Sequence, residues 1–577
     1  PTYNQAMATP EVDQWREAMD KEIKTLIEMG TWTMVTRESV TQAGRRVIPT
    51  TWAFRLKRKP DGTAYKFKAR WCVRGDLQVY GEDYWQSYSP VCQWSTVRLL
   101  LIMSTVHGLH TRQVDYVNAF AQADLDKEVY VELPKGYGHN NEVDCVLRLN
   151  KSLYGMVDAP MHFFNLLKTN LQLCGFKQKS YIDPCLFVAK KAICVSYVDD
   201  CLWVSYDEKA MDGIINQMKK KMDLTVESND ISAFLGIQFT RHDGVIEMKQ
   251  LGLIDKIMKT TGMEDCNPIS TPADPKTLGK DVNGKPFEES WSYAQVVGML
   301  LYVSSNSRPD ICFAVHQAAR FTHDPKHSHA VAVKRIIRYL KGTRDRGLTF
   351  RPHSGFQVDC WVDADFCGLW GSEHPEDPTV AKSRSGYVIT VAGCPLMWVS
   401  KLQTEVSVST MMAEYVALSQ AMRDMLPLKR LVKEIARVVT GNDEVDVVLK
   451  SDVWEDNNGA LTVATMPRIT PQSKFFAVKY HFFREHVKTE DNPNGEVHIQ
   501  KIDTKRQLGD IMTKGLTEAL FVPLRDRLMG WVDDMDEHAF IESQSGSVDA
   551  SGTNSGSSSR GSVTKQASTT ERKQGVD

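Results

Sequence analysis

A chain of 577 residues is too long for a single hydrophobic core, so two to four domains are expected. Its 42% hydrophobic and 25% charged residues are ordinary for a soluble globular protein, and the longest apolar run, near Leu99–Met103, falls far short of the roughly 20 residues that cross a bilayer. The net charge of −2 says nothing about nucleic acid, so the distribution of charge has to be read instead.

The opening PTYNQAMATP has no apolar stretch of the signal-peptide kind, and a chain starting with Pro1 is expected to be a fragment or a segment cut from a polyprotein. The twelve cysteines stand singly, with no C-x-x-C pair and no zinc-finger spacing. Free buried thiols in a reducing compartment are expected.

In chain order, residues 11–30 carry Trp15, Met19, Ile23, Leu26 and Ile27 at helical spacing, ended by Gly30. Residues 50–58 and 64–74 look like two strands joined by a Pro60-Asp61-Gly62 turn. This hairpin carries Arg55, Lys57, Arg58, Lys59, Lys66, Lys68, Arg70 and Arg74 against the lone acid Asp61. Ser95 can cap a helix that runs through Val106, before Gly108.

Residues 251–350 are helical in pattern, with Pro- and Gly-rich loops from about 267 to 290 and a second basic run, Lys334, Arg335, Arg338, Lys341, Arg344 and Arg346. Most charge runs are solvated faces, but two in a near-neutral chain make nucleic-acid contact worth testing. From 356 strand candidates recur at 356–364, 385–392, 395–400, 446–452 and 496–502. They surround a long helix at about 411–437 that Pro427 should kink or divide. The Ser/Gly-rich segment from 542 cannot bury a core and is expected to be a disordered tail.

Two constellations carry chemistry. In AICVSYVDDCLWVSY (192–206), Asp199 and Asp200 stand at the turn between two apolar, β-prone runs. A D-D pair is commonly only a turn. Here the flanking runs are apolar enough to be buried, and a third acid, Asp115, ends HTRQVD. Three gathered carboxylates would resist ionisation unless divalent cations relieved them. Mg2+ held by such carboxylates and substrate phosphates is the usual solution.

At this point the sequence resembles reverse transcriptases. YVDD (197–200) matches their Y-x-D-D box, and QVDYVNAF (113–120) matches the strand with the other catalytic Asp. More specifically it is similar to copia-type LTR retrotransposon Pol polyproteins. The matching stretches are WAFRLKRKPDGTAYKFKARWCVRG (52–75), SLYGMVDAP (152–160), YIDPCLF (181–187), FLGIQF (234–239), SRPDICFAV (307–315) and RYLKGT (338–343), in family order. The resemblance implies that Asp115, Asp199 and Asp200 bind two Mg2+ or Mn2+ ions. It implies that Phe120 excludes a 2′-hydroxyl, and that Arg70, with Lys57 or Lys59, grips the triphosphate of a dNTP.

The second constellation is spread more widely. Residues 356–364 read FQVDCWVDA, with Asp363 and Asp365 on the face opposite Val358, Cys360 and Val362. Glu414 falls in the first turns of a helix, Asp456 between a strand and a helix, and Asp510 in a final helix. Singly, each is more plausibly a solvated charge. Together, with SRSGYVIT (383–390) and YHFFRE (480–485), they resemble a copia-form ribonuclease H domain. That resemblance implies that Asp363, Glu414, Asp456 and Asp510 hold a second pair of ions that activate water against RNA.

The architecture implied is an α+β and α/β multidomain chain. Reverse transcriptase fingers and palm would occupy 1–250, a helical connection 251–352, a ribonuclease H-like domain 353–532 and the tail 542–577. The function implied is RNA-directed DNA synthesis with linked cleavage of RNA in the hybrid. The partners would be RNA template, DNA primer and product, RNA·DNA hybrid, a tRNA primer, and the protease and integrase of the same polyprotein, with no membrane. The location would be cytoplasmic, within virus-like particles.

Some neighbours depart from the family. MVDAP stands for L-K-Q-A-P, VSTMMAEY for S-S-T-E-A-E-Y, KFFA (474–477) for K-H-I-D and GDIMTK for A-D-I-L-T-K. A catalytically inactive relic that still folds and binds nucleic acid is therefore the alternative. A DNA-templated polymerase is a weaker one, disfavoured by the linked ribonuclease H pattern.

Overall fold

The computed structural model describes residues 1–58, 64–137, 144–178, 180–228, 230–352, 355–373, 376–440, 449–466 and 478–532. Lys59, the turn at Pro60, the KFFA segment and the tail therefore lie outside the described residues.

Helix α1 (Val12–Glu28) buries Trp15, Met19, Ile23 and Leu26. Ile27, read as part of the same stripe, lies beyond its edge and is 60% exposed. The stripe packs on the two-stranded ribbon of β1 (Thr50–Arg58) and β2 (Ala64–Val73). Trp15 stands edge-on to Phe54 and Phe67, with ring centroids 5.2 and 4.6 Å away. The antiparallel register sets the cross-strand partners. Arg55 is opposite Lys68, Lys57 opposite Lys66 and Ala53 opposite Arg70, and the charges of Arg70 and Lys68 act on Glu22 of α1.

Helix α2 (Trp94–Val106) is not capped by Ser95, which lies inside it. The cap residue is Gln93, whose N–H donates to the Asp183 carboxylate at 2.9 Å while the Thr96 hydroxyl donates to the same oxygen at 2.5 Å. An acid from a distant loop thus satisfies the helix start, which no local pattern could show. Beside α2 lies a six-stranded sheet. It is built from β3 (His110–Tyr116), β4 (Lys177–Gln178), β5 (Leu186–Val188), β6 (Ile193–Tyr197), β7 (Asp200–Ser205) and β8 (Leu224–Ser228), in the order β8-β3-β7-β6-β5-β4. Helix α3 (Ala159–Leu173) packs on its other face through Phe163, Leu167 and Leu171, against Val114, Cys194 and Trp203.

Between 251 and 342 the expected helices form, ending in α4 (His327–Gly342). Here SRPD becomes a buried network. Arg308, 1% exposed, pairs with Asp310 at 2.7 Å, Asp310 accepts from the Tyr339 hydroxyl at 2.6 Å, and Arg308 donates to Thr343 Oγ1 at 2.6 Å. The second basic run is spent in the same way. Lys334 pairs with Glu289 (2.6 Å), Arg335 with Asp274 (3.4 Å) and Arg344 with Asp255 (2.6 Å), while Arg338 donates to Asn267 O (2.7 Å). These cations pin the 255–289 segment to α4, and the pattern read as a possible phosphate track is largely internal.

The last sheet contains β9 (Val358–Asp365), β10 (Arg384–Val391), β11 (Cys394–Leu402), β12 (Asp452–Glu455) and β13 (His498–Lys501), ordered β11-β10-β9-β12-β13. The first three pair antiparallel, and β12 and β13 join parallel. Of the expected 446–452 strand, residues 446–448 lie outside the described residues, and the fourth strand as described runs over Asp452–Glu455. Helix α5 (Thr410–Val439) covers the sheet as one 30-residue helix through Pro427. Pro427 removes one backbone bond at a cost of about 3 kcal/mol. Twenty buried residues hold the helix together regardless.

These sheets and helices form the mixed α+β and α/β arrangement expected from the sequence. Its apolar core does not stop at residue 352. One cluster runs from Cys92 through α2 and the connecting helices into the β9–β13 sheet. Arg98 of α2 donates to Leu396 O at 2.9 Å and lies 4.1 Å over the Trp398 ring, and Trp398 donates to Ser304 O at 2.9 Å. Among the described residues no helix is long and apolar enough to cross a membrane.

Candidate active sites

The first site stands at one end of the β3-β7-β6 edge. Strands β6 and β7 are joined by the two residues Val198 and Asp199, which sets Tyr197 opposite Asp200. Val198 takes φ +56, a left-handed conformation that a β-branched residue rarely adopts and that two-residue hairpins require. Across the ladder Asp200 pairs with Asp115, and Tyr116 N–H donates to Asp199 O at 3.1 Å. The three expected acids therefore share one strand end, each half-buried.

The expected substrate residues gather around one that sequence reasoning did not single out. Tyr154, 7% exposed, has the Arg70 guanidinium 4.3 Å over its ring and the Phe120 ring 5.0 Å away. Burial, countered by Arg70 and reinforced by the negative charges of Asp199 and Asp115, pushes its hydroxyl pKa up. The contact depends on glycine. Val73 N–H donates to Tyr154 O at 2.8 Å, and a Cβ on Gly155, at φ +88, would stand 2.2 Å from Val73 O. Tyr154 lies in the quoted SLYGM stretch, but an uncharged aromatic gave no chemical signal there.

Arg70 Nε finds no hydrogen-bond partner among the described residues, and its charge acts on Glu22 of α1. Phe120 is half-buried against Tyr154 and Phe163. For Lys57 only the backbone is described, within β1.

The second site is tighter. Asp363 on β9, Glu414 near the start of α5 and Asp456 after β12 each offer a carboxylate oxygen, all within 4.8 Å of one another. Among the described residues no other acids are grouped so closely, Asp115, Asp199 and Asp200 included. Asp363 and Glu414 are 2% and 7% exposed. Burial, followed by the charges of Asp363, Glu455 and Asp456, pushes Glu414 up to about 11, and its Oε2 has no hydrogen-bond partner.

Glu455, which the sequence did not flag, is fully buried beside the cluster and pushed up to about 8, mainly by burial. Asp510 opens a four-residue helix, α6 (Asp510–Thr513), rather than sitting within the last long one. It too is pushed up to about 8, by burial and then by Asp363. Helix α6 reaches the sheet because residue 509 is glycine. A Cβ there would stand 2.8 Å from Asp363 N, so the departure from A-D-I-L-T-K removes a clash.

A buried group of hard carboxylate oxygens, one without a partner, fits a divalent cation such as Mg2+. Asp363, Glu414 and Asp456 would hold it. When bound, such an ion lowers the pKa of water and offsets charge on a phosphate.

Comparisons with known proteins bear on the first of these sites and on the chain's wider kinship. Residues 29–275 match the family described as reverse transcriptase (RNA-dependent DNA polymerase). That segment is therefore similar to reverse transcriptases. It contains Asp115, Asp199, Asp200, Arg70, Phe120 and Tyr154. The chain is 31% identical over 533 residues to the retrovirus-related Pol polyprotein from transposon TNT 1-94 of Nicotiana tabacum, which covers 89% of this chain and 37% of that protein. It is 29% identical over 515 residues to the corresponding polyproteins from transposons RE1 and RE2 of Arabidopsis thaliana, covering 88% of this chain and 33% of each.

The expected kinship with copia-type Pol polyproteins is borne out, and the chain spans about a third of the length of the curated relatives it matches. Among solved structures, a foamy viral protease–reverse transcriptase in complex with double-stranded DNA is similar with a TM-score of 0.43 and 12% identity. That match covers 85% of this chain and 70% of that one.

Proposed function

We propose that the chain is an RNA-directed DNA polymerase whose second site cleaves the RNA strand of an RNA·DNA hybrid. The observation that carries the reading is the pairing of Asp115 with the YVDD hairpin, inside the segment that matches the reverse transcriptase family. In the polymerase site Asp115, Asp199 and Asp200 hold the metal ions, Arg70 grips the triphosphate of a dNTP with Lys57 or Lys59 beside it, and Phe120 screens the sugar. In the nuclease site Asp363, Glu414 and Asp456 hold one Mg2+ or Mn2+ ion, and Asp510 completes the place for another.

RNA template, DNA primer and product, the hybrid and a tRNA primer are the nucleic-acid partners, and protease and integrase segments belong to the same polyprotein. The division is 1–250, 251–352 and 353–532, and the location is cytoplasmic, within virus-like particles.

The relic reading loses ground at two of the departures. Asp158, where the family has Gln, is fully buried but accepts from Lys127 and lies 3.2 Å from His162, so it has acquired partners. Gly509 makes room for α6. Primer extension on poly(rA)·oligo(dT) with Mg2+ or Mn2+ tests the proposal. Extension by the parent chain supports it. No extension by the parent, or near-normal extension by Asp199→Asn, overturns it.

A further inference from the structure

The second site contains a cation of its own. Lys514 follows α6, one helical turn after Asp510. Its Nζ stands 2.9 Å from Asp510 Oδ1 and 3.5 Å from Asp363 Oδ2. The same Asp363 Oδ2 accepts from the Thr513 hydroxyl. Asp363 thus faces two ways. On one side it joins Glu414 and Asp456 in the group whose oxygens lie within 4.8 Å, and on the other it shares an ammonium with Asp510. The Lys514 side chain is 38% exposed and ends a flexible stem, so it can swing into solvent without disturbing the sheet.

We infer that Lys514 is the resident cation of the position between Asp363 and Asp510, so that the nuclease site takes one divalent ion readily and a second only when the ammonium is displaced. The inference rests on the nuclease reading above. The charge balance is its physical basis. Asp363, Glu414, Glu455, Asp456 and Asp510 crowd one buried region, and full ionisation of five carboxyls there is costly without counter-charge. An ammonium tethered four residues from Asp510 supplies one positive charge at no association cost. A second divalent ion must compete with it for the same two carboxylates, and the tether gives the ammonium a high effective concentration.

The test counts ions rather than turnover. The full chain, carrying Asp199→Asn in every arm to remove one polymerase-site ligand, is titrated with MnCl2. Calorimetry follows binding, and the paramagnetic resonance signal of free Mn2+ follows stoichiometry. Lys514→Met is expected to tighten the weaker nuclease-site ion by at least about tenfold, and Lys514→Arg, which keeps the cation, to behave as the parent. Lys514→Gln replaces Lys514→Met should the latter fail to fold, with the same expectation.

Glu414→Gln is expected to lose the tight ion in either background. Identical titrations for the parent, Lys514→Met and Lys514→Gln, with Glu414→Gln still losing an ion, overturn the resident-cation inference and leave the nuclease reading standing. No ion lost from Glu414→Gln overturns the nuclease reading itself.

Discussion

The two carboxylate sites solve the same electrostatic problem in opposite ways. At the proposed polymerase site Asp115, Asp199 and Asp200 share a strand end, half-buried and not drawn into a tight group. At the proposed nuclease site the acids arrive from β9, α5 and β12 and converge in the interior. A site at a hairpin end can leave its charges to water until substrate arrives. A site within a packed sheet must satisfy them before that, by protonation, by metal or by Lys514. Mutations at the two should therefore read out differently, in activity for the first and in both activity and stability for the second.

The largest effect tests whether the sites are separable. Asp199→Asn is expected to lower DNA synthesis by about 10³-fold or more while cleavage of RNA in a hybrid persists, since one metal carboxylate is worth several kcal/mol in the transition state. Asp363→Asn and Glu414→Gln should do the reverse. Because one apolar core joins the two regions, separability cannot rest on independent folding. It rests on the substitutions being nearly isosteric and local. Loss of both activities from Asp363→Asn, in a protein with an unchanged circular dichroism spectrum and melting curve, would contradict the two-site reading.

A smaller effect is expected at the substrate face of the first site. Phe120→Ala should admit ribonucleotides, with the dNTP preference falling on the order of 10²-fold, because a ring that blocks one hydroxyl acts through sterics alone. Single-nucleotide incorporation of rNTP against dNTP measures it. An unchanged ratio would make Phe120 only a packing partner of Tyr154 and Phe163.

The contrast predicts a pH signature for the second site. Glu414, Glu455 and Asp510 bind protons more tightly in the folded chain than in the unfolded one. The folded state therefore holds more protons above the usual carboxylate range, and stability must fall as pH rises. Between about pH 5 and pH 8 the metal-free chain should lose several degrees of melting temperature, at roughly 2 °C per kcal/mol for a chain of this size. Mg2+ should restore most of it, and Glu414→Gln should flatten the profile. A flat profile in the parent chain would mean that the acids are relieved in some other way.

Much of this was legible in the sequence. The YVDD hairpin, the helix over Val12–Glu28 and the acids Asp363, Glu414 and Asp456 were found because local alternation, spacing and motif order carry them. What was missed is non-local. Ser95 looked like a cap because the true acceptor, Asp183, lies 90 residues from the cap residue Gln93. Tyr154 carries no charge, and Glu455 and Lys514 gain meaning only when three elements meet. Pro427 was expected to break a helix that burial on several faces holds intact.

The basic runs show the same limit and give the smallest predicted effect. On paper Arg55–Arg74 and Lys334–Arg346 were equivalent. In the fold the second run is bonded to the 255–289 segment, whereas the first lies in a two-stranded ribbon whose register sets Arg55 opposite Lys68. Like charges directly opposite each other weaken a sheet, and phosphate would add counter-charge beyond that of Glu22, which already acts on Lys68. Each phosphate neutralised should contribute about −0.7 to −0.9 to the log–log slope of template–primer affinity against salt. The double substitution Arg55→Gln with Lys68→Gln should then make the slope shallower by about 1.5, measured by fluorescence anisotropy. Arg335→Gln with Arg338→Gln should leave the slope alone and lower the melting temperature, because those cations hold the fold rather than the nucleic acid. The reverse pattern would show that the α4 cations leave their internal partners to reach phosphate.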